Sequence, residues 1–433
     1  MRAVPSRSSS PTRQRSVAIF CTGEIGHFQR LRPLISGLTE RGIAAHVFSD
    51  RRVKPHVEGA GGVFVDLFER YPLEHVEDTS IPIPCRHVTF AATYADQICA
   101  DVGQTGASMV IHDTFAVIGR VVATRLRIPR VNVCAGHNVD PARFQAMLRT
   151  DPRVRISQEC WRAADVLRDA WGIDDASPFC YVSGLSPDLN IYCEPPEFLG
   201  ADEKRIFEPV AFFGSLPSPT DRPDGDQGSN EGFGDGCASM RKVFVSFGTI
   251  VWRYYAADAL RALATLAETF AGIDNLRAII SLGATPIGDD AVAALARPNV
   301  SVRSYVDQWR ILQEADAFVT HHGMNSTHEA IYHRVPMVSY PFFWDQPSLA
   351  AKCQEFGLAI RLTDGQRGAF GEHEVRAALA RLDAERESMR TALCRAREWE
   401  LAVVDNRAAV LQQVIDLIPG SIQGIQGGSG LRS

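Results

Sequence analysis

Short apolar runs alternate with longer stretches of helical periodicity along most of the chain. The first run, SVAIFC at 16–21, precedes a glycine-bearing turn at 22–27, a helical pattern over about 28–41 and a second run at 44–48. Continuous apolar runs bounded by turn residues are typical of buried parallel strands. A strand, a helix and a second strand in this order predict a βαβ unit at the start of the first domain.

The same alternation continues through both halves of the chain. In the first half, a helix is predicted at 118–126, between strands at 109–112 and 130–134. In the second half, the predicted elements are strands at 242–247, 276–282, 315–320 and 335–340, a helix near 256–270 and a long helix at 398–417. Alternating strands and helices predict an α/β fold with two doubly wound parallel sheets.

Residues 216–239 are rich in Pro, Gly, Ser and Asp and nearly empty of aliphatic side chains, which predicts a linker or a mobile loop. A chain of 433 residues suits two domains of about 200 residues each. The predicted organisation is a basic tail at 1–15, a first domain at 16–215, a linker or mobile loop at 216–240, a second domain at 241–400, a terminal helix at 401–418 and a flexible tail at 419–433.

Charge and cysteine usage exclude several classes of protein. The formal net charge is -6, and no dense basic stripe is present, so nucleic acid is not expected as a partner. Ten cysteines without a CxxC pair favour reduced core thiols in a cytoplasmic protein. No apolar run approaches the roughly 18 residues of a membrane span, so no stable membrane insertion is expected. The pattern does not indicate an oligomeric state.

The first fifteen residues contain four arginines, no acidic residue and no apolar run long enough for a signal sequence. Such a segment cannot bury enough surface to fold, which predicts a disordered basic tail. A transit peptide or a contact with a membrane surface is the alternative.

Residues 320–346, THHGMNSTHEAIYHRVPMVSYPFFWDQ, combine features that suit the two ends of one ligand. A buried strand ends at Thr320, a turn follows at 321–325, and a helix is predicted to start at Ser326. Because a helix N-terminus offers unpaired N–H groups and the positive end of a dipole, this arrangement predicts an anion site that needs no metal. Asp345 and Gln346 follow the next strand, at the edge of the sheet where α/β proteins bind ligands.

This segment resembles the donor-binding signature of the GT-B glycosyltransferases, in particular the plant UDP-glycosyltransferases and the bacterial macrolide and antibiotic glycosyltransferases. The matching residues are Tyr305, Val306, Asp307, Gln308, Ile311, Leu312, His321, Gly323, Asn325, Ser326, Glu329, Val335, Pro336, Asp345 and Gln346. Two positions depart from the family pattern, because Tyr305 replaces the usual Trp and Asp307 the usual Pro. The resemblance implies two facing Rossmann-like domains and a last helix that packs back towards the first domain.

The resemblance also implies roles for the second domain as the donor-binding one. By this resemblance, Tyr305 stacks on the base, and His321 and the turn after it bind the diphosphate. Glu329 binds the ribose hydroxyls, and Asp345 and Gln346 bind the sugar. The full set of expected donor-binding residues is Thr249, Tyr305, Gln308, His321, Gly323, Asn325, Ser326, Glu329, Asp345 and Gln346.

Purely structural roles are open for three of these residues. Ser326 and Glu329 have the spacing of a capping box, in which Glu reaches back to the first amide of a helix. Asp345 could cap a helix that begins near Pro347. Among the other histidines, adjacent His321 and His322 do not suit zinc, and His328 and His333 are predicted to be surface or packing residues.

His27 and Asp113 are the predicted catalytic pair of the first, acceptor-binding domain. Each follows a strand at the carboxyl edge of the sheet, and an imidazole that titrates near neutral pH can take a proton from a hydroxyl. Asp113 could hold the ring and stabilise its protonated form. Gly26-His27 also matches the Gly-His pair that carries the base in the resembling family. Capping of a helix start is the alternative for both residues.

The expected function is transfer of a hexose, glucose favoured, from a UDP-sugar to a hydroxyl of a small hydrophobic acceptor, with inversion and without a metal or other cofactor. The acceptor is expected to contact residues 71–94 and 137–171. The alternatives are a nucleotide-sugar epimerase or hydrolase, a transferase that uses dTDP-deoxysugars, and a non-catalytic sensor of nucleotide sugars. A dehydrogenase is not expected, because the turn at 22–27 lacks the GxGxxG spacing.

Overall fold

The structure is a computed structural model that describes residues 15–73, 86–134, 136–138, 140–150, 156–179, 184–217, 232–234 and 239–420. Most of the predicted basic tail, of the predicted linker and of the predicted flexible tail lies outside these residues. So do parts of both stretches that were expected to contact the acceptor.

Seven parallel strands form the sheet of the first domain, in the order β3-β2-β1-β4-β5-β6-β7. The strands are β1 (Ser16–Phe20), β2 (Ala44–Ser49), β3 (Val63–Asp66), β4 (Val110–Asp113), β5 (Arg130–Val133), β6 (Leu189–Tyr192) and β7 (Val210–Phe212). The helices are α1 (Ile25–Glu40), α2 (Lys54–Gly59), α3 (Leu67–Arg70), α4 (Arg86–Thr105), α5 (Val117–Leu126), α6 (Pro141–Thr150), α7 (Gln158–Asp169) and α8 (Ala201–Ile206).

Six parallel strands form the sheet of the second domain, in the order β10-β9-β8-β11-β12-β13. The strands are β8 (Arg241–Ser246), β9 (Leu276–Ser281), β10 (Val300–Arg303), β11 (Ala317–Thr320), β12 (Met337–Ser339) and β13 (Ala359–Arg361). The helices are α9 (Ile250–Ala271), α10 (Asp289–Leu295), α11 (Gln308–Glu314), α12 (Met324–His333), α13 (Gln346–Glu355), α14 (Glu372–Ala384) and α15 (Arg386–Asp416). The prediction of two doubly wound parallel sheets is confirmed.

Strand order reverses once in each sheet. In the first sheet, β1 pairs with both β2 and β4, and in the second sheet β8 pairs with both β9 and β11. Helices that follow the two central strands leave on opposite faces at such a point, which opens a crevice at the carboxyl edge of the sheet. The loops after β1, β4, β8 and β11 are therefore where the fold provides room for a ligand.

Helices α1, α9 and α15 begin several residues before their predicted starts. Helix α1 begins at Ile25 rather than near residue 28, so His27 lies in its first turn. Helix α9 begins at Ile250, because the residues before a non-helical Tyr255 join it across a kink. Helix α15 begins at Arg386, twelve residues before the predicted start near 398, and the apolar periodicity missed its more polar first turns.

The carboxyl-terminal part of α15 packs on the first domain. The guanidinium of Arg407 donates to the backbone carbonyls of Phe213, Gly214 and Leu216, where the chain leaves β7, at 2.7, 3.4 and 2.6 Å. Leu411, one turn further on, lies against Gly37 of α1. The last helix thus joins the two domains through backbone contacts as well as through apolar packing.

The described cysteines are all free thiols, and six of these seven are buried. No helix within the described residues combines the length and hydropathy that a bilayer crossing requires.

Candidate active site

His27 and Asp113 meet at the reversal point of the first sheet. His27 lies in the first turn of α1, the helix after β1, and Asp113 is the last residue of β4. Nδ1 of His27 lies 2.7 Å from Oδ2 of Asp113, and the two side chains are 15% and 2% exposed. The contact keeps the proton of a neutral ring on Nδ1, so Nε2 presents a lone pair.

Asp113 holds its position through its second oxygen. Oδ1 accepts a hydrogen bond from the backbone N–H of Phe115 at 2.8 Å. Burial alone would raise the pKa of Asp113, but His27 and this amide lower it below its ordinary value. Helix α5 begins only at Val117, so the capping alternative for Asp113 is wrong; the capping alternative for His27 is also wrong, because its ring is turned to the carboxylate.

His321 lies at the corresponding point of the second sheet, directly after β11. Its Nε2 sits between two glycines: a Cβ on Gly248 would lie 2.7 Å from this atom, and a Cβ on Gly323 would overlap it. Gly248 also has a φ of +69°, which side chains rarely adopt. Burial lowers the pKa of His321 to about 4, so the ring is neutral at pH 7. Exposed Thr249 follows in the same loop as the residue before α9.

Helix α12 begins at Met324, with Gly323 at the N-cap, so the predicted start at Ser326 is wrong. The capping box is wrong for the same reason. Nε2 of Gln308 instead donates to Oε2 of Glu329 at 2.6 Å and reaches Oγ of Ser326 at 3.2 Å. Burial raises the pKa of Glu329 to about 7. Its carboxyl group is therefore free of backbone capping and lies one turn into the helix that follows His321.

Tyr305 is 65% exposed, which is unusual for an aromatic side chain in a well-packed domain. Two residues on, Asp307 caps α11 by accepting from the backbone N–H of Arg310. The exposed ring thus lies just before the helix that begins with Gln308. This position suits a platform for a planar group.

Asn325 connects the two candidate clusters. Its Nδ2 donates to the carbonyl of Gly26 at 3.1 Å, and its Oδ1 accepts from Nε of Arg30 at 3.4 Å. Because Gly26 precedes His27 and Asn325 lies in the first turn of α12, the histidine dyad and the amide-rich start of α12 face each other across the cleft.

Neither Asp345 nor Gln346 uses its side chain to cap α13. Oδ2 of Asp345 accepts the backbone N–H of His137, a residue of the first domain, at 2.9 Å, and the carboxylate forms no cap on α13. Burial raises the pKa of Asp345. Oε1 of Gln346 accepts the backbone N–H groups of Phe342 and Phe343, which braces the loop and leaves its amide N–H₂ as the group for a ligand.

An apolar pocket opens beside the dyad. It is narrow and is lined mainly by α3, α4 and the start of α5, with Thr22, Phe68, His87, Phe90 and Ala116 among its residues. The pocket includes residues from 71–94, one of the two stretches predicted to contact the acceptor, and none from the other stretch, 137–171. Trp344 packs edge-on against Phe115 at 4.7 Å between ring centroids, and it brings the second domain over the rim of this region.

Of the two roles predicted for His328 and His333, surface or packing, the structure shows packing: His328 is fully buried and His333 packs against Trp309. Both ring nitrogens of His328 are bonded, to Glu400 and Glu194. Spacing along the chain could not predict this cluster, because its members come from α12, α15 and the loop after β6. Arg30, His137, Glu194 and Trp344 were missed for the same reason.

No group of three or more His, Cys, Asp or Glu side chains within the described part of the chain is arranged to hold a metal ion.

Comparisons with known proteins agree with this fold. Two solved structures have a similar fold over almost the whole chain: a glycotransferase of kitacinnamycin (TM-score 0.73, 20% identity, 94% of this chain and 100% of that one) and CalG4, the calicheamicin glycosyltransferase (TM-score 0.68, 20% identity, 94% and 100%). The two facing sheets therefore have the GT-B fold, as predicted.

Sequence relatives point to the same class. An uncharacterised UDP-glucosyltransferase of Bacillus subtilis (strain 168), YojK, is 26% identical over 63% of this chain and 65% of its own length. The match spans less than two thirds of the first curated relatives. Residues 292–382 match the family model described as UDP-glucoronosyl and UDP-glucosyl transferase. The matched residues lie in the second domain and include the candidate donor-binding residues from Tyr305 to Glu329.

Proposed function

We propose that the protein is an inverting glycosyltransferase that moves a hexose, glucose favoured, from a UDP-sugar to a hydroxyl of a small apolar acceptor. The observation that carries the proposal is the His27–Asp113 dyad, held against the start of α12 through the contact of Asn325 with Gly26. A base and an anion site that face each other across one cleft suit the two partners of a displacement reaction.

The dyad supports proton removal from the acceptor. With Nδ1–H bound to Asp113, the Nε2 lone pair of His27 takes the proton of the hydroxyl as its oxygen forms a bond to the anomeric carbon. Asp113, ionised and almost fully buried, stabilises the imidazolium that results. Attack from the face opposite the diphosphate converts an α-linked donor into a β-glycoside.

The second domain supports departure of the nucleoside diphosphate. Negative charge collects on the leaving phosphate as the bond to the sugar breaks, and N–H groups at the start of α12, with His321 beside them, lie where they can stabilise it. In this proposal no metal is needed for that role. Addition of EDTA to the assay tests this point, and retention of full turnover is expected.

Glu329 supports a ribonucleotide donor. Its carboxyl group is half-buried, paired only to an amide among the described residues, and placed one turn beyond the anion site. Such a group can accept hydrogen bonds from both hydroxyls of a ribose, whereas a deoxyribose offers only one. UDP is therefore expected to bind more tightly than dTDP, and Glu329→Ala is expected to reduce this difference.

The narrow apolar pocket beside His27 supports an acceptor with a flat apolar body, such as a natural-product aglycone. The test is mass spectrometry of the purified protein with UDP- and dTDP-sugars against a library of small aglycones. A mass increase of one hexose in the acceptor with UDP-glucose is expected, and the anomeric proton of the product should report a β-linkage by NMR.

The same assay separates the alternatives. Epimerised or hydrolysed sugar in the absence of an acceptor, with no glycoside in its presence, would point to an epimerase or hydrolase instead. A glycoside that forms only with dTDP-sugars would mean that the donor is a dTDP-sugar and not a UDP-sugar. A chain that binds UDP-glucose but gives no product, with or without acceptors, would be a nucleotide-sugar sensor.

A further inference from the structure

Five polar side chains form a buried cluster between the two domains. His328 lies on α12, Glu400 on α15, Tyr192 at the end of β6, and Glu194 and His137 in loops at the carboxyl edge of the first sheet. The contacts are His328 Nδ1 to Glu400 Oε1 (2.5 Å), His328 Nε2 to Glu194 Oε1 (2.9 Å), His137 Nδ1 to Glu194 Oε2 (2.8 Å) and Tyr192 Oη to Glu194 Oε2 (2.7 Å).

The contacts of His328 favour an imidazolium over a neutral ring, although burial also raises the pKa of Glu400. Each of its two nitrogens faces a carboxylate oxygen, and only the doubly protonated ring can donate at both. Burial alone would lower the pKa of His328, but the two carboxylates raise it to about 10. Burial likewise opposes ionisation of Glu194, yet His137 and His328 hold its pKa well below its usual range.

The cluster is closed off from solvent. Side chains of Glu194, Glu400 and His328 have no exposed surface, and the ring of Phe198 packs edge-on against both His328 and His137. Removing charges from water in such a place is costly unless every partner is fixed. The positions of the members therefore depend strongly on one another.

The cluster ends at two places in the candidate donor site. His328 is adjacent in sequence to Glu329, which lies on the same helix. At the other end, the backbone N–H of His137 donates to Oδ2 of Asp345. Glu194 occupies the middle, because one of its oxygens bonds His328 and the other bonds His137.

We propose that Glu194 is a positioning residue that, through His137 and His328, sets Asp345 at a fixed distance from helix α12 so that it can bind a donor-sugar hydroxyl. This inference rests on the proposed function, since it takes Asp345 as a contact of the sugar rather than of the nucleotide. Asp345 offers its second oxygen to the sugar while the amide of His137 holds the first.

The test uses isothermal titration calorimetry on the full chain with UDP and with UDP-glucose. The measured quantity is the ratio of the dissociation constant of UDP-glucose to that of UDP, which isolates the sugar. In Glu194→Gln the amide cannot accept at both ends of the cluster, so His137 shifts, and the ratio is expected to rise about tenfold over the wild-type value. The exposed Glu197→Gln, in the same segment, is the matched control and should keep the wild-type ratio.

Asp345→Ala supplies the reference, because it removes the sugar contact itself. Its ratio should rise as much as that of Glu194→Gln, and the double variant should rise no further, since both changes remove one interaction. An unchanged ratio in Glu194→Gln, or a double variant in which the two effects multiply, overturns the proposal. Equal weakening of both ligands also overturns it, because it indicates a general structural role.

A second pair of variants covers the case in which Glu194→Gln does not fold. His137→Asn keeps an N–H close to the position of Nδ1, whereas His137→Ala removes it, and both retain the backbone amide. The ratio should rise in His137→Ala and return towards wild type in His137→Asn. Equal ratios in the two variants contradict the proposal.

The two proposals fail in different ways. If the wild-type chain binds UDP-glucose but yields no glycoside with any acceptor, the proposed transfer reaction fails while the binding ratios still decide the role of Glu194. If glycoside forms and the ratios do not move, the transfer reaction stands and the positioning role is lost.

Discussion

His27 and His328 both place Nδ1 against a carboxylate, yet they lie in opposite surroundings. His27 is 15% exposed at the cleft, and among the described residues its Nε2 has no hydrogen-bond partner. His328 has no exposed surface, and its Nε2 contacts Glu194. One ring has a nitrogen left for a substrate, and the other has none.

The difference separates a reactive pair from a structural one. A histidine can accept a proton only if a lone pair is available in the direction of the donor, which His27 satisfies and the doubly bonded His328 does not. The carboxylate partner alone therefore says little about function. Whether Nε2 is available to a substrate distinguishes the reactive histidine from the structural one.

Replacement of His27 should give the largest effect on turnover. In His27→Ala the proton acceptor is lost, so kcat is expected to fall roughly 10²–10⁴-fold while the affinity for UDP stays unchanged. Steady-state kinetics and calorimetry measure the two quantities. His373→Ala, an exposed histidine on α14, is the control and should keep wild-type kcat. A His27→Ala enzyme that retains kcat would remove the distinction between the two rings.

Asp113→Asn tests whether the dyad depends on the position of a proton. The Asn carbonyl can still accept the N–H of Phe115, but the amide N–H₂ faces Nδ1 of His27 and favours the Nε2–H tautomer, which cannot take a proton. A fall in kcat of about 10²-fold or more is expected, with little change in melting temperature. A large loss of stability without a selective loss of kcat would instead assign Asp113 to the fold.

His328→Gln should act mainly on stability. It leaves two buried carboxylates without their cation, and such a break costs about 3–5 kcal/mol of the free energy of unfolding. The pKa of His328 is raised to about 10 from an ordinary value near 6.5, so its contribution is complete below pH 6.5 and is lost as the pH rises through 10. Urea unfolding at pH 6, 8 and 10 should show the difference from wild type shrinking. A difference that grows with pH would mean that His328 is neutral.

His321 is a third case, buried and neutral with a pKa of about 4. A bound diphosphate beside it raises the pKa, so UDP binding at pH 7 is expected to take up at most about one proton. Calorimetry in buffers of different ionisation enthalpy measures this uptake. His321→Asn should abolish it. Uptake that persists in this variant belongs to another group, with Glu329 the next residue to change.

Sequence patterns predicted four strands in each domain, and β1, β2, β4 and β5 lie within one residue of their predicted bounds. Apolar runs placed β8, β9, β11 and β12 within about two residues of their bounds, because buried parallel strands need continuous apolar segments. The dyad was predicted because His27 and Asp113 each follow such a strand. Their role as catalytic residues, and those of the donor-binding residues, stay predictions.

Sequence patterns could not predict contacts between segments that are far apart in the chain. Glu194 has no periodicity that distinguishes it from a surface residue, and its contact with His328 exists only because α12 packs on the first domain. Ser326 was misplaced for a local reason: its hydroxyl suits an N-cap, but Gly323 takes that position and Ser326 faces Gln308.

Arg407 has a consequence for how the two domains can move. Its guanidinium donates to the carbonyl of Leu216, near the end of the described part of the first domain. Arg407 itself lies on α15, the helix that follows the second domain and packs on the first. Arg407 thus ties the described end of the first domain to helix α15. We expect the cleft to open by rotation about that edge, with substrate and product entering and leaving at the opposite side.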